Sequence, residues 1–146
     1  MVAGCAAYSG AGLVPGVATE AEVEKAMGPS VDRRQVRGET VRFYSRLPAG
    51  RAMYAARFGA DGKLIAIEQR LSRENVEKLV RRETTSDDVR DLFGPPYKKL
   101  DFPRLKTQVW QYPMMDVATR QILNVEFGAD GRVKDVLFTE DLVDPN

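Results

Sequence analysis

The sequence predicts an α+β fold of two tandem modules, each with one or two short helices packed on an antiparallel three-stranded sheet. Three observations predict this fold: a turn motif that occurs twice, a helix-start pattern that occurs twice, and alternating apolar residues before each turn. The pentapeptide FGADG occupies residues 58–62 and again 127–131, and residues 19–29 match residues 85–95. Because the matches follow in the same order with nearly constant spacing, they indicate an internal duplication.

Each copy is expected to begin with a short capped helix. Thr19 with Glu22, and Thr85 with Asp88, have the spacing of a capping box, in which side chains satisfy the free amides of the first helical turn. Apolar residues at i, i+3 and i+4 then give each helix one buried stripe. These residues are Val23, Ala26 and Met27 in the first copy, and Val89, Leu92 and Phe93 in the second. A Gly-Pro pair after each stripe ends the helix.

A strand is expected before each FGADG motif, because apolar residues alternate with others there. Within the motif, glycine supplies the positive φ of a tight hairpin, and the chain returns as a second strand. Residues 40–43 predict a further strand and align with residues 107–110 at an offset of 107 − 40 = 67. A role for Asp61 and Asp130 as metal ligands or acids is the alternative, but aspartate before glycine is ordinary turn chemistry.

The two copies are expected to differ before the capped helix. Residues 72–82 have apolar residues at helical spacing and predict an extra helix, whereas glycine and proline interrupt the equivalent stretch before Thr19. The expected organisation is a lipobox and flexible tether over residues 1–16, a first module over 17–71 and a second module over 72–142.

The composition excludes several classes of chemistry. The chain of 146 residues has no histidine and one cysteine, so serine–histidine triads, cysteine–histidine nucleophiles, ordinary zinc sites and internal disulfides cannot form. Its 22 basic and 21 acidic residues give no charge excess that would indicate a nucleic-acid partner. We therefore predict no catalytic residue, metal site, cofactor or small-molecule substrate, and no enzyme. The opposing interpretation is an enzyme that uses carboxylates alone, such as Glu126 and Asp135.

The N-terminus indicates a lipid anchor. Residues 2–5 read VAGC and look like a bacterial lipobox, in which a signal peptidase cuts before the cysteine that then carries lipid. The basic and apolar segments of a signal peptide do not precede this motif, so Met1 is expected to be either a late methionine or an engineered start. Ala6 stands where an aspartate would retain a Gram-negative lipoprotein at the inner membrane, which favours the outer membrane. The competing interpretation makes Cys5 an ordinary small residue in a terminal tail.

The order of capped helix, Gly-Pro, aromatic strand and F-x-x-D-G resembles the SmpA/OmlA (BamE-like) family of outer-membrane lipoproteins. The matching residues are Thr19, Val23, Gly28, Pro29, Phe43, Phe58, Asp61 and Gly62, and in the second copy Thr85, Val89, Gly94, Pro95, Trp110, Phe127, Asp130 and Gly131. The resemblance implies helices on one face of an antiparallel sheet, a periplasmic location and binding rather than catalysis. Two such modules in tandem are similar to the secreted β-lactamase inhibitor proteins, although those depend on disulfides that this chain cannot form.

Five aromatic residues are candidates for binding a partner. Trp110 and Tyr112 alternate on one predicted strand, and Phe43 is the aligned residue of the first copy. These three would contact a partner if their sheet face is open, and would fill the core if it is covered. Tyr97 and Phe102 lie among cations in a predicted loop, which is suited to a partner or to anionic lipid. The alternative is a loop that its aromatic residues simply fasten to the fold.

Together these features predict a lipid-anchored, non-catalytic binding or assembly protein at the periplasmic face of the Gram-negative outer membrane. The chain would reach the membrane through lipid on Cys5 and would bind an envelope protein. The alternative is a soluble inhibitor-like module that docks its sheet on an enzyme. A second basic segment, with Arg33, Arg34 and Arg37, is predicted to be a solvated loop.

Overall fold

The computed structural model describes residues 9–141, and the fold is mostly β. Two antiparallel sheets have four strands each, in the orders β1-β2-β3-β4 and β5-β6-β7-β8. The first sheet contains β1 (Asp32–Val36), β2 (Glu39–Ser45), β3 (Met53–Phe58) and β4 (Leu64–Gln69). The second contains β5 (Lys98–Phe102), β6 (Thr107–Asp116), β7 (Thr119–Phe127) and β8 (Val133–Glu140). The helices are α1 (Glu20–Met27), α2 (Arg73–Val76) and α3 (Ser86–Phe93).

The predicted fold class, two α+β modules with three-stranded sheets, is therefore wrong. Each sheet gains a fourth strand, β1 or β5, in a segment that the sequence predicts to be a basic loop. Both strands lie at a sheet edge, where a strand has one neighbour and needs no continuous buried face. All five residues of β5 are exposed, so the apolar alternation that marks a strand is absent from its sequence.

The chain divides into two compact units. Unit 1 comprises the residues up to Ser45 together with Met53–Arg70, and unit 2 comprises Arg46–Ala52 together with the residues from Leu71 onward. The loop between β2 and β3 therefore belongs to unit 2.

In unit 1, α1 packs on one face of the first sheet. Thr19 caps the helix by accepting the backbone N–H of Glu22 at 3.2 Å, and Gly28 ends it with a φ of 88°. The buried stripe of α1, Val23 and Met27, joins a core cluster with Ala18, Tyr44, Ala56, Phe58 and Leu64. Full burial of a large apolar side chain stabilises a fold by roughly 1.5–3 kcal/mol, so this cluster accounts for much of the stability of unit 1.

In unit 2, α3 packs in the same way. Thr85 and Asp88 form both bonds of a capping box, with N···O distances of 3.1 and 2.9 Å. The ring of Phe93 lies 5.5 Å from that of Tyr112, and the Tyr112 hydroxyl donates to the carbonyl of Gly94 at 2.8 Å. The end of the helix is thus fastened to the middle of the second sheet.

Both FGADG motifs form the hairpin turn that the sequence predicts. In the first, Gly59 N–H donates to the Lys63 carbonyl, Gly62 N–H donates to the Gly59 carbonyl, and both distances are 3.0 Å. The second motif repeats these bonds at 3.0 Å with Gly128, Gly131 and Arg132. Gly62 and Gly131 share a φ of 76°, in the left-handed region that favours glycine.

The strand register corrects the predicted alignment of the two copies by one residue. Thr40 pairs with Phe58, and Gln108 pairs with Phe127, so the structural offset between β2 and β6 is 108 − 40 = 68 rather than 67. A one-residue shift moves every side chain to the other face of a sheet. Trp110 therefore occupies the position of Arg42 and not that of Phe43, and Tyr112 matches Tyr44.

The stretch before each capped helix also follows one path in both copies. The extra helix predicted over residues 72–82 is limited to α2, after which the chain forms turns. Residues 10–18 make the same turns as residues 76–84, although glycine and proline interrupt the first stretch. The matched bonds are Leu13 N–H to Gly10 O (3.2 Å) with Leu79 N–H to Val76 O (3.1 Å), and Ala18 N–H to Val14 O (3.0 Å) with Thr84 N–H to Val80 O (3.0 Å).

Candidate binding site

Strand β5 and the turn that follows it, residues 97–106, form an exposed segment that we call the basic hairpin. Its apolar side chains are open to solvent: Tyr97 is 46% exposed, Leu100 38%, Phe102 42% and Leu105 67%. Leu100 and Phe102 lie on the same side of β5, because side chains alternate along a strand. Leu105 lies in the turn, where its N–H donates to the carbonyl of Phe102 at 3.1 Å.

The basic hairpin carries a net charge of 4 − 1 = +3, from Lys98, Lys99, Arg104 and Lys106 against Asp101. Lys99 Nζ lies 4.8 Å from the ring centroid of Trp110, and Lys98 Nζ lies 5.7 Å from that of Tyr97. No ion pair within residues 9–141 involves these four cations. The hairpin therefore presents unneutralised positive charge next to exposed apolar surface.

Trp110 supports the basic hairpin from the core. Its side chain is buried, and its ring lies 4.6 Å from that of Phe127 in an edge-to-face arrangement. The indole Nε1–H donates to Gln108 Oε1 at 2.7 Å, and Gln108 Nε2–H donates to Asp101 Oδ1 at 2.7 Å. This chain of hydrogen bonds fixes β5 against β6.

The structure separates the five predicted aromatic residues into two groups. Phe43, Trp110 and Tyr112 are buried, so they contribute to the cores and not to the exposed surface. Tyr97 and Phe102 are exposed and lie together on the basic hairpin. Leu100 and Leu105 were not among the residues predicted to bind a partner. The one signal for Leu100 is its two-residue spacing from Phe102 before the turn residue Pro103, and two apolar residues are too few to establish the alternation of a strand.

The equivalent edge of unit 1 is neutralised by α1. Glu20 Oε1 accepts from Arg42 Nε at 2.8 Å and from Arg33 Nε, on β1, at 3.2 Å, while Glu24 accepts from Arg42 Nη1 at 3.3 Å. Burial acts to raise the pKa of Glu20, but the hydrogen bonds and charges of Arg33 and Arg42 hold it below its usual value. Unit 2 has Ser86 at the position of Glu20 and Trp110 at that of Arg42, so the cations of β5 lack such partners.

Three of the four carboxylates considered for other chemistry have structural partners. Glu126 and Asp135 face each other across β7 and β8, and Arg81 Nη2 donates to Asp135 Oδ1 at 2.6 Å. Asp61 and Asp130 accept the backbone N–H of Lys63 and Arg132 in the hairpin turns, at 3.0 and 3.1 Å. Across residues 9–141, no group of three or more acidic or cysteine side chains is placed to hold a metal ion.

Cys5 lies outside the residues that the structure describes. From residue 9 to residue 141, no helix combines the length and the apolar character needed to cross a membrane.

Comparison with known proteins adds little to this description. No protein-family model matches the chain, and no curated protein matches it. One solved structure that the chain is similar to is a DUF4309 family protein (YjgB) from Bacillus subtilis, at 21% identity over 94% of this chain and 92% of that one, with a TM-score of 0.35. A likeness at this level assigns neither a fold nor a function to the chain.

Proposed function

We propose that this protein is a non-catalytic binding or assembly protein of the Gram-negative envelope, which is anchored to the outer membrane by lipid on Cys5 and binds a protein partner through the basic hairpin. The observation that carries this proposal is the juxtaposition of four exposed apolar side chains and four unpaired cations within residues 97–106.

The chemistry of the basic hairpin indicates the kind of partner. Aromatic side chains are enriched among the residues that supply most of the binding energy at an interface, and aliphatic side chains gain when they are removed from water. The cations accelerate the encounter with an acidic surface and disfavour a basic one. The partner is therefore an envelope protein with an apolar patch rimmed by carboxylates, and the complex should weaken as salt concentration rises.

The anchor rests on the sequence. VAGC at residues 2–5 supplies the small residues and the cysteine of a lipobox, and Ala6 follows it where an inner-membrane lipoprotein would have aspartate. Metabolic labelling with a palmitate analogue, followed by membrane fractionation, tests this part. The gene should carry its upstream codons, and Cys5→Ala is the control. Label that depends on Cys5 and is recovered in the outer membrane supports the anchor, and equal labelling of the Cys5→Ala variant argues against it.

Site-specific photocrosslinking in cells tests the binding surface. A photoreactive amino acid replaces Leu105 on the hairpin or, as a matched control, Leu137 on β8, which is 59% exposed. We expect a discrete protein adduct from position 105 that is lost when Lys98 and Lys99 are changed to Glu. Equal adduct patterns from both positions would mean that the basic hairpin is not the binding surface.

The soluble inhibitor-like function is the second candidate, and one feature of the second sheet favours it. A polar network crosses the sheet, in which Asn124 accepts from Gln111 Nε2 at 2.8 Å and donates to Thr139 Oγ1 at 3.0 Å. Leu137 on β8 is exposed, as an enzyme-docking sheet face requires. In the labelling experiment, this function predicts a soluble protein with no label on Cys5. In the crosslinking experiment, it predicts an enzyme adduct from position 137 rather than 105.

A further inference from the structure

Residues 10–16 belong to the folded body of unit 1. Gly10 is buried, and a Cβ atom at this position would lie 2.4 Å from Cδ1 of Ile67 and 3.1 Å from Sδ of Met27. Leu13 packs against the core cluster of unit 1, and Gly16 N–H donates to the carbonyl of Leu64 at 2.7 Å. The segment is therefore fastened to β4 by side-chain packing and by backbone hydrogen bonds.

The equivalent segment of unit 2 is fastened by the same bonds. Arg82 N–H donates to the Val133 carbonyl at 2.7 Å, as Gly16 does to Leu64, and Val133 N–H donates to Thr84 O at 2.8 Å, as Leu64 does to Ala18. Val76, which matches Gly10, is buried as well. The docking of residues 10–16 is thus part of the repeated architecture, and the same backbone hydrogen bonds hold its counterpart within unit 2.

This docking shortens the reach of a lipid on Cys5. If the whole stretch to Val17 were free, twelve Cα steps would span up to about 42 Å. With Gly10 docked, five steps remain, and they span at most about 17 Å whatever path residues 6–9 take. A compact unit with as many residues as unit 1 has a radius of gyration of about 10 Å. The tether is therefore shorter than the diameter of the unit that it holds.

Three aliphatic side chains near the docked segment are exposed. Val14 is 55% exposed, Val17 62% and Ile65, next to Leu64 on β4, 41%. Val17 N–H donates to the Val14 carbonyl at 3.1 Å, so these two residues belong to one turn. We call these three residues the junction patch. An open cavity of about 360 Å³ adjoins it, lined in part by Leu13, Pro15, Leu64 and Ile67.

We propose that the junction patch rests on the phospholipid surface into which the lipid on Cys5 is inserted. This inference depends on the lipid anchor of the proposed function. The bilayer is the occupant because the anchor leaves at most five Cα steps before the docked segment, and because aliphatic side chains gain by burial at the boundary between headgroups and acyl chains. Unit 1 is then held against the membrane by two contacts, the lipid and the patch.

Photocrosslinking to lipid tests the patch without help from cellular lipidation. Because Cys5 is the only cysteine, the full chain can be coupled there to a maleimide-bearing phospholipid in vesicles of phosphatidylethanolamine and phosphatidylglycerol. A photoreactive amino acid replaces Val17 or, as a control of similar exposure, Leu137. We expect a phospholipid adduct from position 17 and none from position 137. Equal yields from the two positions, or no adduct from either, would overturn the inference.

A longer tether provides a second measurement. Ten Gly and Ser residues inserted after Ala7 raise the number of Cα steps between Cys5 and Gly10 from five to fifteen. Because effective concentration falls roughly as the −3/2 power of linker length, the adduct from position 17 should fall about fivefold. An unchanged yield would mean that the short tether does not set this contact. Cells that fail to label Cys5 would overturn the proposed anchor and this inference with it, whereas equal yields from positions 17 and 137 in cells that do label Cys5 would overturn this inference alone.

Discussion

Units 1 and 2 share one backbone design and differ in what their edge strands do. Both have the same capped helix, the same FGADG turn and the same docked segment before the helix. In unit 1, Glu20 neutralises Arg33 of the edge strand β1 and Arg42 beside it. In unit 2, Ser86 and Trp110 stand in place of Glu20 and Arg42, and within residues 9–141 the cations of β5 form no ion pair. Exchanging a few side chains thus changes a sheet edge with paired cations into one with exposed cations.

The connections between the central strands provide the second difference. The loop Arg46–Ala52, which belongs to unit 2, joins β2 to β3 of the first sheet, whereas two residues, Val117 and Ala118, join β6 to β7 of the second. The longer loop carries Arg51, whose guanidinium binds the carboxylate of Asp141 beyond the end of β8. Both side chains are largely buried, at 10% and 4% exposed.

Breaking this ion pair should have the largest effect on stability. Arg51→Met removes the guanidinium that binds the buried Asp141 carboxylate, and we expect the free energy of unfolding to fall by about 3–5 kcal/mol. Urea unfolding at pH 7 measures the change. Arg81→Met is the control, because Arg81 binds Asp135 at 2.6 Å where both side chains are more than half exposed, and it should cost about 1 kcal/mol or less. Equal losses would show that burial does not distinguish the two pairs. The double variant Arg51→Met/Asp141→Leu should recover most of the loss.

The matched tyrosines Tyr44 and Tyr112 sharpen the comparison within the cores. The Tyr112 hydroxyl donates to Gly94 O at 2.8 Å, whereas in the described part of the chain the buried Tyr44 hydroxyl has no hydrogen bond. Tyr112→Phe should therefore cost about 1–2 kcal/mol of unfolding free energy, and Tyr44→Phe less than about 0.5 kcal/mol. A larger loss for Tyr44→Phe in urea unfolding would contradict the assigned bonds.

The same tyrosines give a pH dependence. Burial raises the pKa of both phenols above the usual value of about 10. A raised pKa in the folded state means that this stability is fully present below about pH 10 and is lost as pH rises through the folded-state values. Urea unfolding repeated between neutral pH and pH 11 should show a smaller alkaline loss in the Tyr112→Phe variant, and an unchanged slope would exclude Tyr112 as a cause.

An element can be predicted from the sequence where its own residues determine its conformation. The prediction fails where a neighbouring strand determines it. The two turns are predicted because only glycine readily takes the φ of 76° at Gly62 and Gly131. The cap at Thr85 is predicted because Thr and Asp three residues apart can bond reciprocally. The edge strands β1 and β5 are missed, since their polar sequences, DRRQV and KKLDF, form strands only because a neighbouring strand offers hydrogen bonds.

The candidate site shows the same limit. Tyr97 and Phe102 are identified from aromatic residues among cations, a local pattern. The burial of Phe43, Trp110 and Tyr112 depends on which face of a sheet each one occupies, and one residue of register decides that. Chemical similarity aligned Phe43 with Trp110, but backbone pairing places Arg42 there. Similar side chains therefore do not establish equivalent positions in a duplicated sheet.

The helix caps should give a smaller difference between the units. Asp88 accepts the N–H of Thr85 at 2.9 Å, and in the part of the chain that the structure describes Glu22 makes no such return bond to Thr19. Asp88→Ala should lower the unfolding free energy by about 0.5–1 kcal/mol, and Glu22→Ala should leave it nearly unchanged. Thermal unfolding of the two variants side by side makes the comparison, and equal shifts in Tm would contradict it.

The smallest expected effect tests how far the two copies remain interchangeable at one backbone position. Gly16 and the matching Arg82 both have a left-handed backbone, with φ of 83° and 67°, and both donate to a carbonyl of the following hairpin at 2.7 Å. A Cβ atom on Gly16 would meet nothing within 4 Å, so Gly16→Arg adds the backbone strain of a side chain at positive φ, about 1 kcal/mol, and removes conformational freedom from the unfolded chain. Arg82→Gly reverses both terms, and in each variant they should cancel to within about 0.5 kcal/mol. Urea unfolding should therefore show almost no change for either variant. A clear loss for Arg82→Gly would instead mean that the Arg82 side chain stabilises unit 2, and that the duplicated segment has acquired a role that Gly16 does not have.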